Sequence, residues 1–442
     1  MSVEVERLKS SISVTPIFDV DQRTGFMAPD PPIPRLPTAW EPWEAALDAA
    51  VQAKLQLGDK IGLTNLEKTT SSRWRESVRQ LPVLATEELS NSAILLRRAH
   101  LVLAYILHFY VQSLPLTAEI LIPESIGVPL LEVSSKLDIP PLLTFSDTVL
   151  YNWRFRDEES AEDSVPTPDN IRSQTLFTNL VDEEEFYLCS ARIELRGVEI
   201  LELMRVTMDE TFVGDVIAVS RIKEYLKTIA RVIGELKALL MSVKQGCDPD
   251  VYYNKVRPWF RGEDSAETTR KWNFEGLDKH PHLKLPTELS GPSAGQSSMV
   301  HVLDVFLGVD HQATSPGKPS FMSRMQSYMP RNHRLFLDHL KANPRPLRAF
   351  VVDANNAELL SAYNQAVMSL KEFRDAHMII ATLYILGPAR RASKLANDIA
   401  EHDSTTKSRA PVGWTPVKGT GGTELVKFLK DTRTRTSESL IH

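Results

Sequence analysis

Cysteine is scarce in this chain of 442 residues, which contains only Cys189 and Cys247 and no CxxC pair. A disulfide framework needs several cysteines and a thiolate zinc site needs closely spaced ones, so both are excluded. This usage suits a reducing compartment, and we expect a cytoplasmic protein. Strand-like alternation of polar and apolar residues is scarce as well, which predicts an all-α fold.

A basic surface and a long apolar run are also missing. The net charge of −6 argues against nucleic acid or an anionic membrane as the main partner. The first 20 residues have no apolar run after their early charges, so we do not expect a secretory signal. The most apolar stretch, 101–111, is much shorter than the ~20 residues that span a bilayer. We interpret it as a buried core helix of a soluble protein.

The length of the chain predicts two helical domains that share an interface. An acidic, proline-containing segment at 154–170 is the candidate interdomain linker. We therefore expect a smaller N-terminal helical domain over 1–153, which caps a larger helical domain over 171–442. Within the larger domain, a polar loop and a glycine-rich run at 389–423 are expected to form a mobile lid.

Helical periodicity predicts the main elements of both halves. The clearest helix is 220–244, whose apolar residues line one face. Long helices are also predicted over 86–112, 185–207 and 357–386. Shorter helices are predicted over 43–57, 130–136, 142–153, 296–307, 320–328, 333–343 and 424–433.

One histidine falls on the apolar face of a long predicted helix. Steps of three and four residues place His377 in a stripe with Leu370, Phe373 and Ile380. A neutral imidazole in an apolar interior can ligate a metal, and as a single axial ligand it suits haem iron. A core histidine with hydrogen-bonded nitrogens is the commoner arrangement, so the stripe alone leaves both possibilities open.

Further motifs offer binding chemistry, each with a structural alternative. The glycine-rich run 419–423 precedes a helix and either takes an anionic group on its backbone N–H groups or forms a hinge. Small residues at 290–298 either lie against a flat ligand or form a capped turn. Arg257 presents a guanidinium fork for a carboxylate, or forms a surface salt bridge. His280 and His282 lack a third ligand at suitable spacing and are interpreted as loop histidines.

Four segments in one order resemble the indoleamine 2,3-dioxygenase family. They are SGPSAGQSS at 290–298, MQSYMPRNHRLFL at 325–337, FRDAHMIIATLYI at 373–385 and VKGTGGTELVKFLK at 417–430. The segment 122–153 looks like the small-domain region of the same family. Because several independent motifs occur in the same order over most of the chain, the resemblance is specific.

The resemblance implies a function. The family's chemistry is haem-dependent insertion of both atoms of O2 across the indole 2,3 double bond of L-tryptophan, which gives N-formylkynurenine. This reaction begins the kynurenine pathway of tryptophan breakdown and supplies NAD synthesis. One haem b per chain, held in the larger domain, and an electron donor that keeps the iron ferrous are implied with it. We expect a monomer that acts on L-tryptophan or a related indoleamine.

The resemblance also implies roles for individual residues. His377 matches the proximal iron ligand, Arg374 the arginine that meets a haem propionate, and Asp304 its carboxylate partner. Arg257 matches the residue that holds the substrate carboxylate, with Thr420 of the lid beside it. Further matched positions lie against the haem or line the indole pocket: Ser293, Ala294, Phe186, Ser190, Phe145, Thr148 and Val149.

The pocket also departs from the family pattern. Tyr252 stands where phenylalanine is expected and brings a hydroxyl into or near the pocket, and Pro292 replaces a glycine. None of the matched pocket positions carries a histidine or a carboxylate, so no strong general base is expected there. Ser190, Tyr252 and Arg257 are the candidate catalytic residues. The departures favour one alternative function, a haem-binding sensor or signalling protein with weak or no dioxygenase activity.

Overall fold

Helices make up most of the protein. The structure is a computed structural model that describes residues 18–157, 164–265, 270–311, 319–392, 394 and 424–442. Within these residues the strands are four segments of three residues each. The predicted all-α fold is therefore confirmed.

Four helices build the N-terminal half: α1 (Glu41–Gln52), α2 (Asn65–Arg79), α3 (Ala93–Gln112) and α4 (Glu124–Leu137). Helix α3 is central, and every residue from Arg98 to Val111 is buried. It is long and apolar enough to cross a membrane, but 83% of its apolar window lies inside the protein, as in a core helix. Helix α4 begins well before the predicted 130–136 and runs through Pro129, a residue that usually ends a helix.

The second half holds the two longest helices, which pack along each other. Its helices are α5 (Val181–Arg196), α6 (Val198–Val213), α7 (Val216–Ser242), α8 (Ser298–Phe306), α9 (Phe321–Gln326), α10 (Arg331–Lys341), α11 (Leu347–Asp353), α12 (Ala357–Ala381) and α13 (Leu425–Glu438). A single α-helical turn lies at Pro249–Val251. The long pair is α7 and α12, and α13 lies against α12. Helices α12 and α13, together with α5, frame the site described below.

Short strands tie distant parts of the chain together. Strand β1 (Ile120–Ile122) pairs in parallel with β4 (Trp272–Phe274), and β2 (Trp153–Phe155) pairs antiparallel with β3 (Ile171–Ser173). One continuous hydrophobic core includes residues from both halves of the chain. The segment 154–170 begins within β2 and ends just before β3, and its role as a domain linker stays a prediction.

Tight and wide helical turns connect these elements. Short 3₁₀ turns lie at Thr38–Trp40, Glu88–Asn91, Val243–Gln245, Arg257–Phe260, Glu263–Ser265, Leu277–Lys279 and Ala294–Gln296. The described residues also contain three π-helical turns, at Ser146–Leu150, Tyr252–Val256 and Thr382–Leu386. Such π-turns are rare and often occur at functional sites.

The prediction of one helix over 185–207 is wrong. Helix α5 ends at Arg196 and α6 begins at Val198. Gly197 lies between them, and a Cβ added there would meet the Cε of Met299 at 2.5 Å. Glycine also has a low helix propensity. The helix is thus interrupted at a glycine that packs against Met299, and the periodicity of apolar residues does not reveal this interruption.

The helix predicted over 142–153 is also wrong. Only the π-turn Ser146–Leu150 is helical, and Trp153 already belongs to β2. The Asn152 side chain explains the end of this segment. Oδ1 of Asn152 accepts a hydrogen bond from the N–H of Thr175, and Nδ2 of Asn152 donates one to the carbonyl of Thr175, both at 2.8 Å. Pairing with a distant strand overrides the local helical pattern.

Helix α2 was not predicted, because its buried stripe contains only Ser71, Trp74 and Val78. A local signal marks its start. The Thr64 hydroxyl accepts from the N–H of Glu67 at 3.2 Å, and the Glu67 carboxylate accepts from the N–H of Thr64 at 2.7 Å. This reciprocal capping box begins a polar helix that has little apolar periodicity.

Candidate active site

An apolar cavity lies among α5, α12, α13 and the three π-turns. It has two adjoining compartments with cavity volumes of about 140 and 150 Å³. The compartments share part of their lining: Phe145, Phe186, Ser190, Ala294, Gly295, His377, Ile380 and Phe428. They therefore form one site.

Each π-turn contributes side chains to the first compartment. Thr148 and Val149 come from the first turn, Tyr252 from the second, and Tyr384 and Ile385 from the third. A π-turn adds one residue to a helical turn and so changes the direction in which its side chains point. Local backbone geometry thus brings residues from three distant parts of the chain to one cavity.

His377 lines both compartments from α12. No hydrogen bond to its ring is found among the described residues. Burial, and then the charge of Arg374, lower the pKa of His377 to about 4, so its imidazole is neutral at pH 7. His108 shows the contrasting arrangement: its Nδ1 donates to the Trp259 carbonyl at 2.7 Å and its Nε2 accepts from the N–H of Leu143 at 3.2 Å. His377 therefore has a free lone pair that His108 lacks.

Arg374, one helical turn before that histidine, lines the second compartment. Its guanidinium pairs with the carboxylate of Asp304, and it also donates to the Thr436 hydroxyl and to the Thr432 carbonyl, the latter at 3.3 Å. Asp304 accepts a further hydrogen bond from Nε2 of His311 at 2.7 Å. Burial disfavours the charged carboxylate, but the charge of Arg374 and the bond from His311 outweigh it and lower the pKa of Asp304. The predicted pair is thus in contact.

Small residues form another wall. Ser293 lines the first compartment, and Ala294 and Gly295 line both. A Cβ added to Gly295 would lie 3.0 Å from Cε1 of Phe321, which is tighter than most real contacts. The structure thus places the predicted residues Ser293 and Ala294 at the cavity.

Gln296 holds this wall in place, and the sequence did not reveal it. Its Oε1 accepts from the N–H of Phe145 at 2.8 Å, and its Nε2 donates to the carbonyl of Gly291 at 3.0 Å. A Cβ at Gly291 would come within 1.9 Å of the carbonyl of Phe260, another cavity residue. Only glycine allows the two backbone segments to approach this closely.

Aromatic rings cover the first compartment. Phe186 and Ser190 lie one turn apart on α5, and the Phe186 ring centroid is 4.3 Å from that of Tyr252. The Tyr384 hydroxyl donates to the Cys247 carbonyl at 2.6 Å, whereas no described residue bonds the hydroxyl of Tyr252 or Ser190. Burial raises the pKa of Tyr252, so its phenol stays protonated and can donate.

The two compartments differ in their charged groups. No aspartate, glutamate, lysine or arginine is found among the described residues that line the first. The lining of the second includes the buried Glu194, which was not predicted from the sequence as a site residue. One Glu194 oxygen accepts from the Ser297 hydroxyl at 2.6 Å, and the other has no hydrogen-bond partner among the described residues. Burial raises the pKa of Glu194 to about 7.

Two predicted residues are not seen at the cavity. Arg257 is buried at the start of its 3₁₀ turn and is absent from the described lining of either compartment. Its Cζ lies 5.6 Å from the ring centroid of Tyr253, next to the cavity residue Tyr252. Thr420 and the lid residues 395–423 fall outside the described residues. Their roles in binding the substrate carboxylate stay predictions.

Comparison with known proteins identifies the family. A family model for indoleamine 2,3-dioxygenase matches residues 15–439. This chain belongs to the indoleamine 2,3-dioxygenase family. The resemblance noted in the sequence, and with it the interpretation of the chain as an enzyme of this family, are confirmed.

Relatives in several organisms are similar along most of their length. Indoleamine 2,3-dioxygenase of Saccharomyces cerevisiae is 32% identical in an alignment that covers 86% of this chain and 90% of that protein. Indoleamine 2,3-dioxygenase 1 of Mus musculus is 30% identical over 96% of this chain and 94% of its own length. A 6-hydroxytryptophan 2,3-dioxygenase of Fusarium equiseti is 27% identical, with 96% and 97% covered. The family thus includes members named for different indole substrates.

The cavity residues fit haem, the group that membership of this family implies. A neutral imidazole that makes no hydrogen bond to the described residues suits an axial iron ligand. The buried guanidinium of Arg374 suits an anionic group such as a propionate. The small residues at 293–295 line the cavity, and their short side chains suit a flat molecule beside them.

Proposed function

We propose that this protein is a haem-dependent dioxygenase that cleaves the indole 2,3 bond of L-tryptophan and yields N-formylkynurenine. The observation that supports it best is the neutral imidazole of His377, which lines an aromatic cavity and has no hydrogen-bond partner in the described part of the chain. Haem, when bound, supplies the redox-active iron that activates O2. His377 would hold the iron, and Arg374, oriented by Asp304, would take a propionate.

The chain's own contribution to this reaction is positioning. Phe145, Val149 and Phe186 offer apolar surface for a flat indole, and an aromatic contact of this kind adds roughly 0.5–1.5 kcal/mol beyond area burial. Their packing also excludes water from the reacting atoms. The hydroxyls of Ser190 and Tyr252 can each donate one hydrogen bond to an oxygen on the substrate or product. No carboxylate of the described first compartment competes for the indole proton.

The amino-acid part of the substrate needs a charged partner, because an unpaired carboxylate in an apolar cavity is costly. Arg257, buried beside Tyr252, is our proposal for that partner, with Thr420 of the lid as a second donor. A charge-assisted clamp of this kind contributes about 1.5–3 kcal/mol. A monomeric state, a separate electron donor for the iron and a cytoplasmic location belong to the same proposal.

The proposal is tested with purified protein that is reduced under air in the presence of L-tryptophan. We expect a haem Soret band and accumulation of N-formylkynurenine in the ultraviolet. His377→Ala should lose the Soret band, whereas the matched control His339→Ala, at an exposed histidine, should keep it. Normal haem content in His377→Ala would refute the ligand assignment.

The alternative of a haem-binding protein with little activity predicts a different result. It requires a Soret band without product at millimolar L-tryptophan. The observation that favours it is Tyr252, which lines the first compartment and brings a hydroxyl where the family pattern has phenylalanine. Product formation that appears only in Tyr252→Phe would support this alternative and locate its cause.

A further inference from the structure

A second set of metal-ligating side chains lies outside the cavity. Glu132 on α4 and two histidines of the loop after β4, His280 and His282, each bring one ligand atom within 4.8 Å of the others. We propose that these three side chains bind a divalent transition-metal ion, for which zinc is the best match. From the sequence, the two histidines were interpreted as ordinary loop residues, because the third ligand comes from a distant helix.

The donor set indicates the class of metal. Two imidazole nitrogens and one carboxylate oxygen are ligands that zinc accepts in tetrahedral sites, with water in the fourth position. Magnesium and calcium prefer all-oxygen sites, so the two histidines argue against them. Copper and nickel also bind imidazole well, and they are expected to compete in vitro.

The loop holds its two imidazoles in a defined turn. The N–H of His280 donates to the carbonyl of Leu277 at 3.1 Å, and the N–H of Leu283 donates to the carbonyl of His280 at 3.0 Å. Pro281, between the histidines, fixes its own φ and reduces the freedom of the unbound loop. The backbone therefore loses little further entropy when both side chains take one ion.

Neighbouring groups orient the ligands, as they do in established metal sites. The Glu132 carboxylate accepts from the Thr86 hydroxyl at 2.6 Å. Nε2 of His280 lies 3.5 Å from one carboxylate oxygen of Glu124, and the other oxygen accepts from Nζ of Lys279 at 2.7 Å. Glu132 forms no ion pair with a lysine or arginine in the described part of the chain, so its charge remains available for a cation.

A bound ion would tie the loop to α4. The loop begins after Phe274, the last residue of β4, and continues to Ser290, where the small-residue wall of the cavity starts. The metal would therefore restrain a segment that leads into the active site, at a position separate from His377. Because an ion that binds only the folded state stabilises it, added zinc should raise the thermal stability of the protein.

The test is an isothermal titration of zinc chloride into haem-loaded protein that has been freed of its purification tag and treated with a chelator. We expect one zinc per chain. His282→Asn and Glu132→Gln should each weaken binding at least tenfold, while His339→Asn, at an exposed histidine outside the cluster, should bind like the wild type. An unchanged Soret band shows that each variant is folded. The proposal is refuted if the wild type has no saturable site, or if the two cluster variants bind zinc as the wild type does.

A structural readout separates this cluster from other zinc ligands. Zinc K-edge X-ray absorption of the one-to-one complex should show only nitrogen and oxygen donors. The thermal midpoint should rise with zinc in the wild type and in His339→Asn, but not in His282→Asn. A sulfur donor, or an equal rise in His282→Asn, would assign the zinc to another site and overturn the proposal.

Discussion

The substitution Asp304→Asn tests the buried ion pair beside the cavity. The side chains of Arg374 and Asp304 are only 7% and 3% exposed, and the carboxylate also accepts from His311 at 2.7 Å. Asparagine keeps the shape of the side chain but leaves the guanidinium without its counter-charge. Removing one partner of such a pair costs about 3–5 kcal/mol of unfolding free energy, and we expect a loss of that size at pH 7.

The effect should depend on pH in a defined direction. The pKa of Asp304 is lower in the folded protein than its ordinary value of 3.8, so the folded state favours the charged form. The charged carboxylate stabilises the folded protein at any pH above the pKa that Asp304 has in the unfolded chain. This stabilisation is lost as the pH falls through the lower pKa that Asp304 has in the folded protein. Asparagine does not titrate. The difference between wild type and variant should therefore narrow as the pH falls from about 5 toward 3.

Urea unfolding followed by circular dichroism measures both effects. The control is Asp338→Asn, because that side chain is 68% exposed and its lysine partner is 3.5 Å away. Such a surface pair contributes about 0–1 kcal/mol at most. A loss below about 1 kcal/mol in Asp304→Asn at pH 7, or a difference that does not narrow in acid, would refute this account of the pair.

Two further predictions concern substrate binding and a buried carboxyl group. Arg257→Gln should raise the KM for L-tryptophan roughly 10- to 100-fold at unchanged haem content, because it removes a charge-assisted clamp. The control is Lys255→Gln, at an exposed neighbour. An unchanged KM in Arg257→Gln would exclude Arg257 as the partner of the substrate carboxylate. For Glu194, burial raises the pKa from 4.5 to about 7, so the stability of the folded protein falls as the pH rises between these values. In the wild type, this fall in unfolding free energy should amount to about 3 kcal/mol across that pH range, and urea titrations measure it. Glu194→Gln should lack the fall. Parallel pH profiles of stability for the two proteins would contradict the prediction.

Periodic segments of the sequence were predicted well because their burial repeats locally. Ile222, Leu226 and Ile229 were placed on one apolar face, and all three are buried in α7. The stripe that contains His377 likewise lies on α12, with Leu370 among its buried residues. Where one face of a helix packs against the core, the periodicity of apolar residues in the sequence is sufficient to predict which face is buried.

Features that depend on distant contacts could not be predicted in this way. Gln296 holds the cavity wall through a bond to Phe145 that crosses 151 residues of the chain. Glu194 shows no special pattern on α5, and its raised pKa follows from burial beneath other elements. The partnership of His280 with Glu132 exists only because a loop and a helix meet in the fold. Such sites need the tertiary structure.

The origin of the product's oxygen atoms is the most direct test of the central claim. Haem-loaded protein is reduced, mixed with L-tryptophan under ¹⁸O2, and quenched early for mass spectrometry. We predict N-formylkynurenine in which both added oxygen atoms carry the label, and no product from His377→Ala. A product with a single labelled oxygen, or no product at all from the wild type, would contradict the proposed dioxygenase.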